Sequence, residues 1–224
     1  MNRASSILLF TVLALLAGAL GYAVMSLPGQ ANGLAETVAG QMDKSGVDHT
    51  VTAVLLNFRG YDTLLEMTVL LLALLGIWSL PHQSHPDEPL ATPSGPVLIA
   101  LFRLLVPVMI LVAGYLLWIG AHAPGGAFQA GSVLAAAGVL MLLCGKRLEG
   151  RLAGWPLRLG LLLGTAMFVA VGAAVMFGGA HLLQYPLEWA GGLILLIEAA
   201  ATLSIGITLT ALFFGVRPTT EQDP

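Results

Sequence analysis

Asn57-Phe58-Arg59-Gly60-Tyr61-Asp62-Thr63-Leu64-Leu65-Glu66 runs without a break into the apolar residues 67–77. From about Tyr61 the stretch reads as a helix, and that spacing sets Asp62 and Glu66 one turn apart on a single face. The apolar residues that follow carry this helix out of water. A carboxylate is costly there, about 2.5–3.5 kcal/mol at the centre of a membrane span. Glu66 lies nearer the end than the centre, so its cost is smaller. Arg59, three residues before Asp62, is placed to neutralise one of the two acids. Two readings stay open: an interfacial Arg59–Asp62 pair with Glu66 reaching back to water, or an ion-handling Glu66 packed against a partner protein.

The flanking sequence extends the argument from one helix to a whole membrane protein. Of the 224 residues, 57% are hydrophobic and 9% are charged. A soluble core does not hide that much apolar surface, whereas bilayer spans need runs of about 20 apolar residues. The expected fold class is therefore all-α, a polytopic membrane protein with about six transmembrane helices. Upstream, residues 5–25 form the first apolar run. It follows Arg3 like a signal peptide but exceeds the usual h-region of about 7–15 residues, so a retained span is expected. In the loop 26–50, Leu34, Val38 and Met42 recur at helical spacing and predict a short helix along the membrane surface. Asp48 is the expected N-cap of a second short helix, 49–58, and Gly60 the turn into a span at 62–80.

Downstream, residues 81–96 hold Pro81, Pro86, Pro89, Pro93 and Pro96. That density of proline stops a helix and predicts an extended linker between two modules, 1–80 and 97–224. The second module reads as spans at 97–119, with Pro107 inside it, then 128–143, 157–177 and 188–214. A Gly-rich hairpin, 120–131, joins its first two spans. Because the span at 128–143 is short, part of that hairpin is expected at membrane depth, covered by protein. Within it, Pro124-Gly125-Gly126 predicts a structural turn with positive backbone dihedrals at the glycines.

Lys146, Arg147, Arg151 and Arg158 crowd one loop, and short cytoplasmic loops retain such residues. With six spans, seven of the nine basic residues, including Arg3, Arg103 and Arg217, fall on that side; Lys44 and Arg59 fall opposite. Both termini are then expected in the cytoplasm, in a bacterial inner membrane, with the Asn57–Glu66 stretch toward the outer face. The net charge of −3 is small, and no basic, aromatic-interleaved patch suggests nucleic acid. The single cysteine, Cys144, makes no intramolecular disulfide or thiolate cluster. No phosphate loop, nucleophile elbow or zinc spacing is present, so neither an enzyme nor a cofactor is expected. His82 and His85 read as solvated linker residues, and His122 and His181 as turn residues rather than haem ligands.

Three acids remain near or inside spans: Glu66, Glu188 and Glu198. Glu188 opens the last span, where the helix N-terminus favours an acid. Glu198 lies well inside that span, with Thr202 one turn on and placed to hydrogen-bond it. The alanines 199–201 permit close approach of another helix. Glu198 is a candidate for function, and a structural, protonated glutamate is the open alternative.

The residues 58–69, Phe-Arg-Gly-Tyr-Asp-Thr-Leu-Leu-Glu-Met-Thr-Val, resemble the Phe-Arg-Gly-Phe-Asp-Thr-Leu-Gly-Glu motif that ends the large A subunit of Mrp-type (Mnh, Pha) multisubunit cation/proton antiporters. The same element forms the small E subunit of membrane-bound, gas-evolving hydrogenases. Residues 101–143, with His122-Ala-Pro-Gly-Gly-Ala-Phe128, are similar to the Asn-x-Pro-Gly-Gly-Gly-Phe hairpin of the antiporter B subunit (MnhB, MrpB) and of its counterpart, the hydrogenase F subunit. The chain thus resembles a fusion of the A-subunit tail with the B subunit. It departs from the pattern at Leu65 and Ala127, which stand in place of glycines, at His122 and Ala123, and at Glu198, where B subunits often carry Asp.

The resemblance implies a membrane subunit of a Na+/H+ antiporter complex, with large proton-channel subunits, small membrane subunits and lipid as partners. Na+ and H+ are the implied ions. In such relatives the lysine–glutamate channels lie in larger subunits, so this chain alone is not expected to transport. Glu66, Asp62, Arg59 and Glu198 are the candidate ion or proton relay residues. The competing expectations are a membrane subunit of an ion-translocating hydrogenase or related redox complex, and a purely structural scaffold.

Overall fold

A computed structural model describes residues 3–27, 33–80, 95–145 and 154–214. Among them every regular element is helical: α1 Arg3–Met25, α2 Ala35–Ala39, α3 Thr50–Ala53, α4 Gly60–Ser79, α5 Pro96–Ile119, α6 Ala127–Leu143, α7 Trp155–Phe177 and α8 Leu187–Phe214. Helices α4, α5, α7 and α8 are long and apolar enough to cross a membrane, and Phe10–Met25 and Ala127–Leu143 are shorter apolar helices. The linker at 81–94, with its two histidines, and most of the basic loop lie outside the described residues.

The chain forms two compact units, Met1–Thr37 and Val38–Pro224. The first consists mainly of α1, a helix of Leu, Ala, Val and Gly with no acid in its first turn and no base in its last. The second is built around α8, which packs against α4, α5, α6 and α7. Local sequence sets the helix ends. Pro96 begins α5 behind Gly95, and Pro156 lies in the first turn of α7, where a missing N–H costs nothing.

Between bilayer helices no hydrophobic force drives association, so close packing must do it. Small residues provide that closeness on both sides of α8. A Cβ on Gly131 of α6 would lie 2.8 Å from Ile205, and one on Gly164 of α7 would lie 3.0 Å from Ala201 Cα. Three buried clusters follow along α8. Ile194 and Ile197 meet Phe168, Leu56 and Leu183. Ala201 and Ile205 meet Met67 and Ala127. Ala211 meets Leu74, Leu157 and Leu161. Hydroxyls add cross-links: Ser204 Oγ donates to the Leu161 carbonyl at 2.6 Å, and Thr210 Oγ1 to that of Ala135 at 3.3 Å.

Two expectations need correction before Gly60. The N-cap of α3 is His49, not Asp48, whose carboxylate has a different partner described below. The short helix 49–58 is also not continuous. It opens after Ala53 into one π-helical turn, Val54–Phe58, closed by Arg59 N–H donating to Val54 C=O at 2.7 Å. The wider ring leaves room for Thr63 Oγ1 to donate to Leu55 C=O at 2.6 Å. Gly60 then sits buried, and a Cβ there would meet Leu183 at 3.2 Å.

Tyr185, in the loop before α8, is buried in the first cluster, and its hydroxyl has no hydrogen-bond partner among the described residues. Burial pushes its pKa up to about 12. The folded state therefore holds the phenol proton more tightly than the unfolded chain, and stability falls as pH rises from about 10 toward 12. Tyr185→Phe is expected to leave thermal stability in detergent unchanged or raised at pH 7, because an unpaired buried hydroxyl is removed. It should also flatten the alkaline loss. A lower melting temperature at pH 7 would show that the hydroxyl is bonded.

Candidate functional site

The hairpin between α5 and α6 organises the buried acid. Its turn closes on α5 through His122 N–H and Ala123 N–H to Ile119 C=O, both at 2.8 Å, and Gly126 N–H to Leu116 C=O at 2.8 Å. Gly126 has φ +105°, a backbone state open in practice only to glycine. Gly125 does not share it, contrary to the expectation of positive dihedrals at both. Gly125 is required for space instead, since a Cβ there would lie 2.5 Å from Leu116 O. A Cβ on Gly126 would lie 2.7 Å from Glu198 Oε1, with Gln129 Oε1 flanking the same position.

Glu198 is 4% exposed. Its carboxylate accepts a hydrogen bond from the backbone N–H of Ala127, the first residue of α6. The first N–H groups of a helix have no partner inside it and carry partial positive charge, so an acid is well received there. Glu198 is the twelfth residue of α8, about 16 Å along it, so α6 begins level with the middle of α8. The hairpin thus reaches the depth of the mid-helix acid and is covered there by protein. Thr202 is in the expected place but makes a different bond: its Oγ1 donates to the Glu198 backbone carbonyl at 2.7 Å, not to the carboxylate.

Arg59, Asp62 and Glu66 are placed on the start of α4. Arg59 Nη2 lies 2.7 Å from Asp62 Oδ2, with both side chains about half exposed. Asp62 is in the first turn of α4, where the helix N-terminus also favours it. Glu66 is exposed, and among the described residues no cation pairs with it. Its neighbour Met67 is buried and packs with Ala127 and Ala201, the residues that flank the Glu198 carboxylate in sequence or space. The chain therefore holds one acid in its interior and presents the other on its surface.

Sequence reasoning missed the stitching between segment 45–57 and the hairpin. Asp48 N–H and His49 N–H both donate to Ala121 C=O, at 3.0 and 2.9 Å. Asp48 Oδ2 lies 2.8 Å from His122 Nδ1, and Thr52 Oγ1 donates to Gly120 C=O. Asn57 Nδ2 braces the same loop by donating to Ser45 C=O at 2.8 Å. Nothing in the local pattern of either segment signals these contacts between residues about seventy apart. No group of three or more His, Cys, Asp or Glu residues suited to a metal occurs among the described residues.

Residues 97–216, which carry this hairpin and Glu198, match the family described as "Domain related to MnhB subunit of Na+/H+ antiporter". The chain belongs to that family. Residues 1–94 match a second family, that of the E subunit of MBH. The MnhB-related chain is 29% identical over 182 residues to the probable K(+)/H(+) antiporter A/B subunit of Rhizobium meliloti (strain 1021), a match covering 66% of this chain and 18% of that protein. It is 44% identical over 46 residues to the Na(+)/H(+) antiporter A subunit of Bacillus subtilis (strain 168), covering 20% of this chain and 6% of the relative. It thus spans less than a fifth of the length of these curated relatives.

Two solved structures share its fold. One is a chain of the membrane-bound sulfane sulfur reductase (MBS), an archaeal respiratory membrane complex, at 23% identity and TM-score 0.69, covering 94% of this chain and 97% of that one. The other is a chain of the Mrp complex from Dietzia sp. DQ12-45-1b, at 22% identity and TM-score 0.67, covering 100% of this chain and 27% of that one. With its apolar helices, the MnhB-related chain is a multi-pass membrane protein.

Proposed function

We propose that this chain is a membrane subunit of a multisubunit monovalent cation/proton antiporter complex, supporting ion translocation and assembly without itself being an enzyme. The observation that carries the reading is Glu198. It is a carboxylate held by a helix N-terminus halfway along a span, in a chain of the MnhB-related family. Buried acids inside spans are expensive and mark ion or proton paths by default. In this reading Glu198 is the internal relay, and Glu66, tuned by Arg59 and Asp62, is the relay group offered to a neighbouring subunit. Pro124, Gly125 and Gly126 form the structural turn that fixes α6 against Glu198. We place the chain in the bacterial inner membrane with both termini in the cytoplasm. It comprises an A-tail module at 1–80, a linker at 81–96 and a B-subunit-like module at 97–224.

A second reading, the corresponding subunit of an ion-translocating redox complex, is favoured by the match of residues 1–94 and by the near-equal length of the sulfane sulfur reductase chain. Identifying the subunits that co-purify with the tagged chain separates the two: large antiporter-like channels alone support the first, metal-binding redox subunits the second. The relay role is tested at Glu66. Glu66→Gln keeps size and polarity but cannot ionise, so the complex should assemble and lose most cation-dependent proton movement in membrane vesicles. Glu66→Asp should keep part of it with a shifted pH optimum. Wild-type transport by a fully assembled Gln variant would reduce Glu66 to an interfacial group.

A further inference from the structure

A groove of about 400 Å³ opens between α4 and α7, lined by Leu71, Leu74, Leu75, Trp78, Leu161 and, at one end, Arg158. Its walls are hydrocarbon apart from that guanidinium and the Trp78 indole. Trp155 steadies Arg158 with its ring centroid 5.8 Å from the guanidinium carbon, and no carboxylate pairs with Arg158 among the described residues. Trp78 lines the same groove from the facing helix. From Leu71 to Trp78 the apolar wall runs about 10 Å. We propose that this groove binds an anionic phospholipid, with its phosphate on Arg158 and one acyl chain lying between α4 and α7.

The chemistry argues for that occupant over others. Leu75 and Leu162 at the rim are exposed, so the slot is open along its length, as an acyl chain requires. A guanidinium presents planar paired donors to phosphate oxygens, and indoles favour the level of lipid headgroups. Basic pockets between spans are recognised headgroup sites. A neutral apolar occupant, such as an uncharged partner helix, would leave Arg158 unpaired beside it. The proposal goes beyond the transport reading and holds whichever complex the chain joins.

The test uses the full tagged chain in its native membranes, loaded with phosphatidylglycerol or phosphatidylcholine carrying a photoactivatable acyl group. The anionic probe should label peptides containing residues 71–78 and 158–162 well above the zwitterionic one. Arg158→Gln should cut the anionic labelling about five-fold and leave the zwitterionic background unchanged; Arg158→Lys should restore part of it. Leu162→Trp, which fills the groove, should suppress both. Equal labelling of the wild-type chain by the two probes would overturn the proposal. So would protein rather than lipid adducts from a photocrosslinking residue placed at Leu75. Should the Gln variant fail to insert, the headgroup comparison on the wild-type chain decides alone.

Discussion

Gly126→Val is expected to remove most of the protein from the membrane. A side chain must there adopt φ +105°, a state costing on the order of 1–3 kcal/mol. Its Cβ would also sit 2.7 Å from Glu198 Oε1, so the carboxylate must move away from Ala127 N–H. Leaving the Ala127 N–H buried without its partner costs about 1–3 kcal/mol more. Together, about 2–6 kcal/mol is comparable with the whole stability of many domains, about 5–15 kcal/mol. Immunoblots of membranes should show the loss, and any surviving chain should be cut rapidly by trypsin. A Val variant with wild-type abundance and protease resistance would mean that the turn tolerates another backbone and does not seat the acid.

Glu198 itself separates structure from transport. Glu198→Gln keeps an oxygen for Ala127 N–H, so the chain should reach the membrane at nearly wild-type level. It cannot take up or release a proton, and cation-dependent proton movement should fall to the level of vesicles lacking the chain. Glu198→Ala leaves the Ala127 donor buried without a partner, costing about 1–3 kcal/mol, and empties the space the side chain fills. That variant should lose abundance as well as transport. Full transport by the Gln variant at normal abundance would assign Glu198 a purely structural role, the alternative its position in the sequence left open.

The helices were legible because their signals are local. Proline, glycine and the ends of apolar runs put each of the six long helices within two residues of its observed bounds. Glu198 stood out for the same reason: one acid in a long apolar run. Its partner did not, because the Ala127 N–H reaches it only through the packing depth of α6 against α8. The two glycines after Pro124 look alike in sequence, yet one answers a dihedral and the other a carbonyl 2.5 Å away. Asp48 looked like a cap because capping is a local rule. The structure gives it to His122, a residue no local rule brings near. Exposure of Glu66 was equally out of reach, since helical spacing names a face but not what covers it.

The stitching of segment 45–57 to the hairpin bears on how this polypeptide could be cut. Ala121 C=O and Gly120 C=O accept hydrogen bonds from residues on the other side of the proline-rich stretch, His122 Nδ1 pairs with the Asp48 carboxylate there, and Met67 packs on Ala201 and Ala127 without its help. Those contacts are made by residues outside 81–94, and chain continuity through that stretch raises the effective concentration of one half near the other. Two separately translated pieces, ending and restarting within that stretch, have the same surfaces to find each other by. Whether the two halves travel as one chain or two then bears on the dosage and timing of assembly rather than on the surfaces that join them.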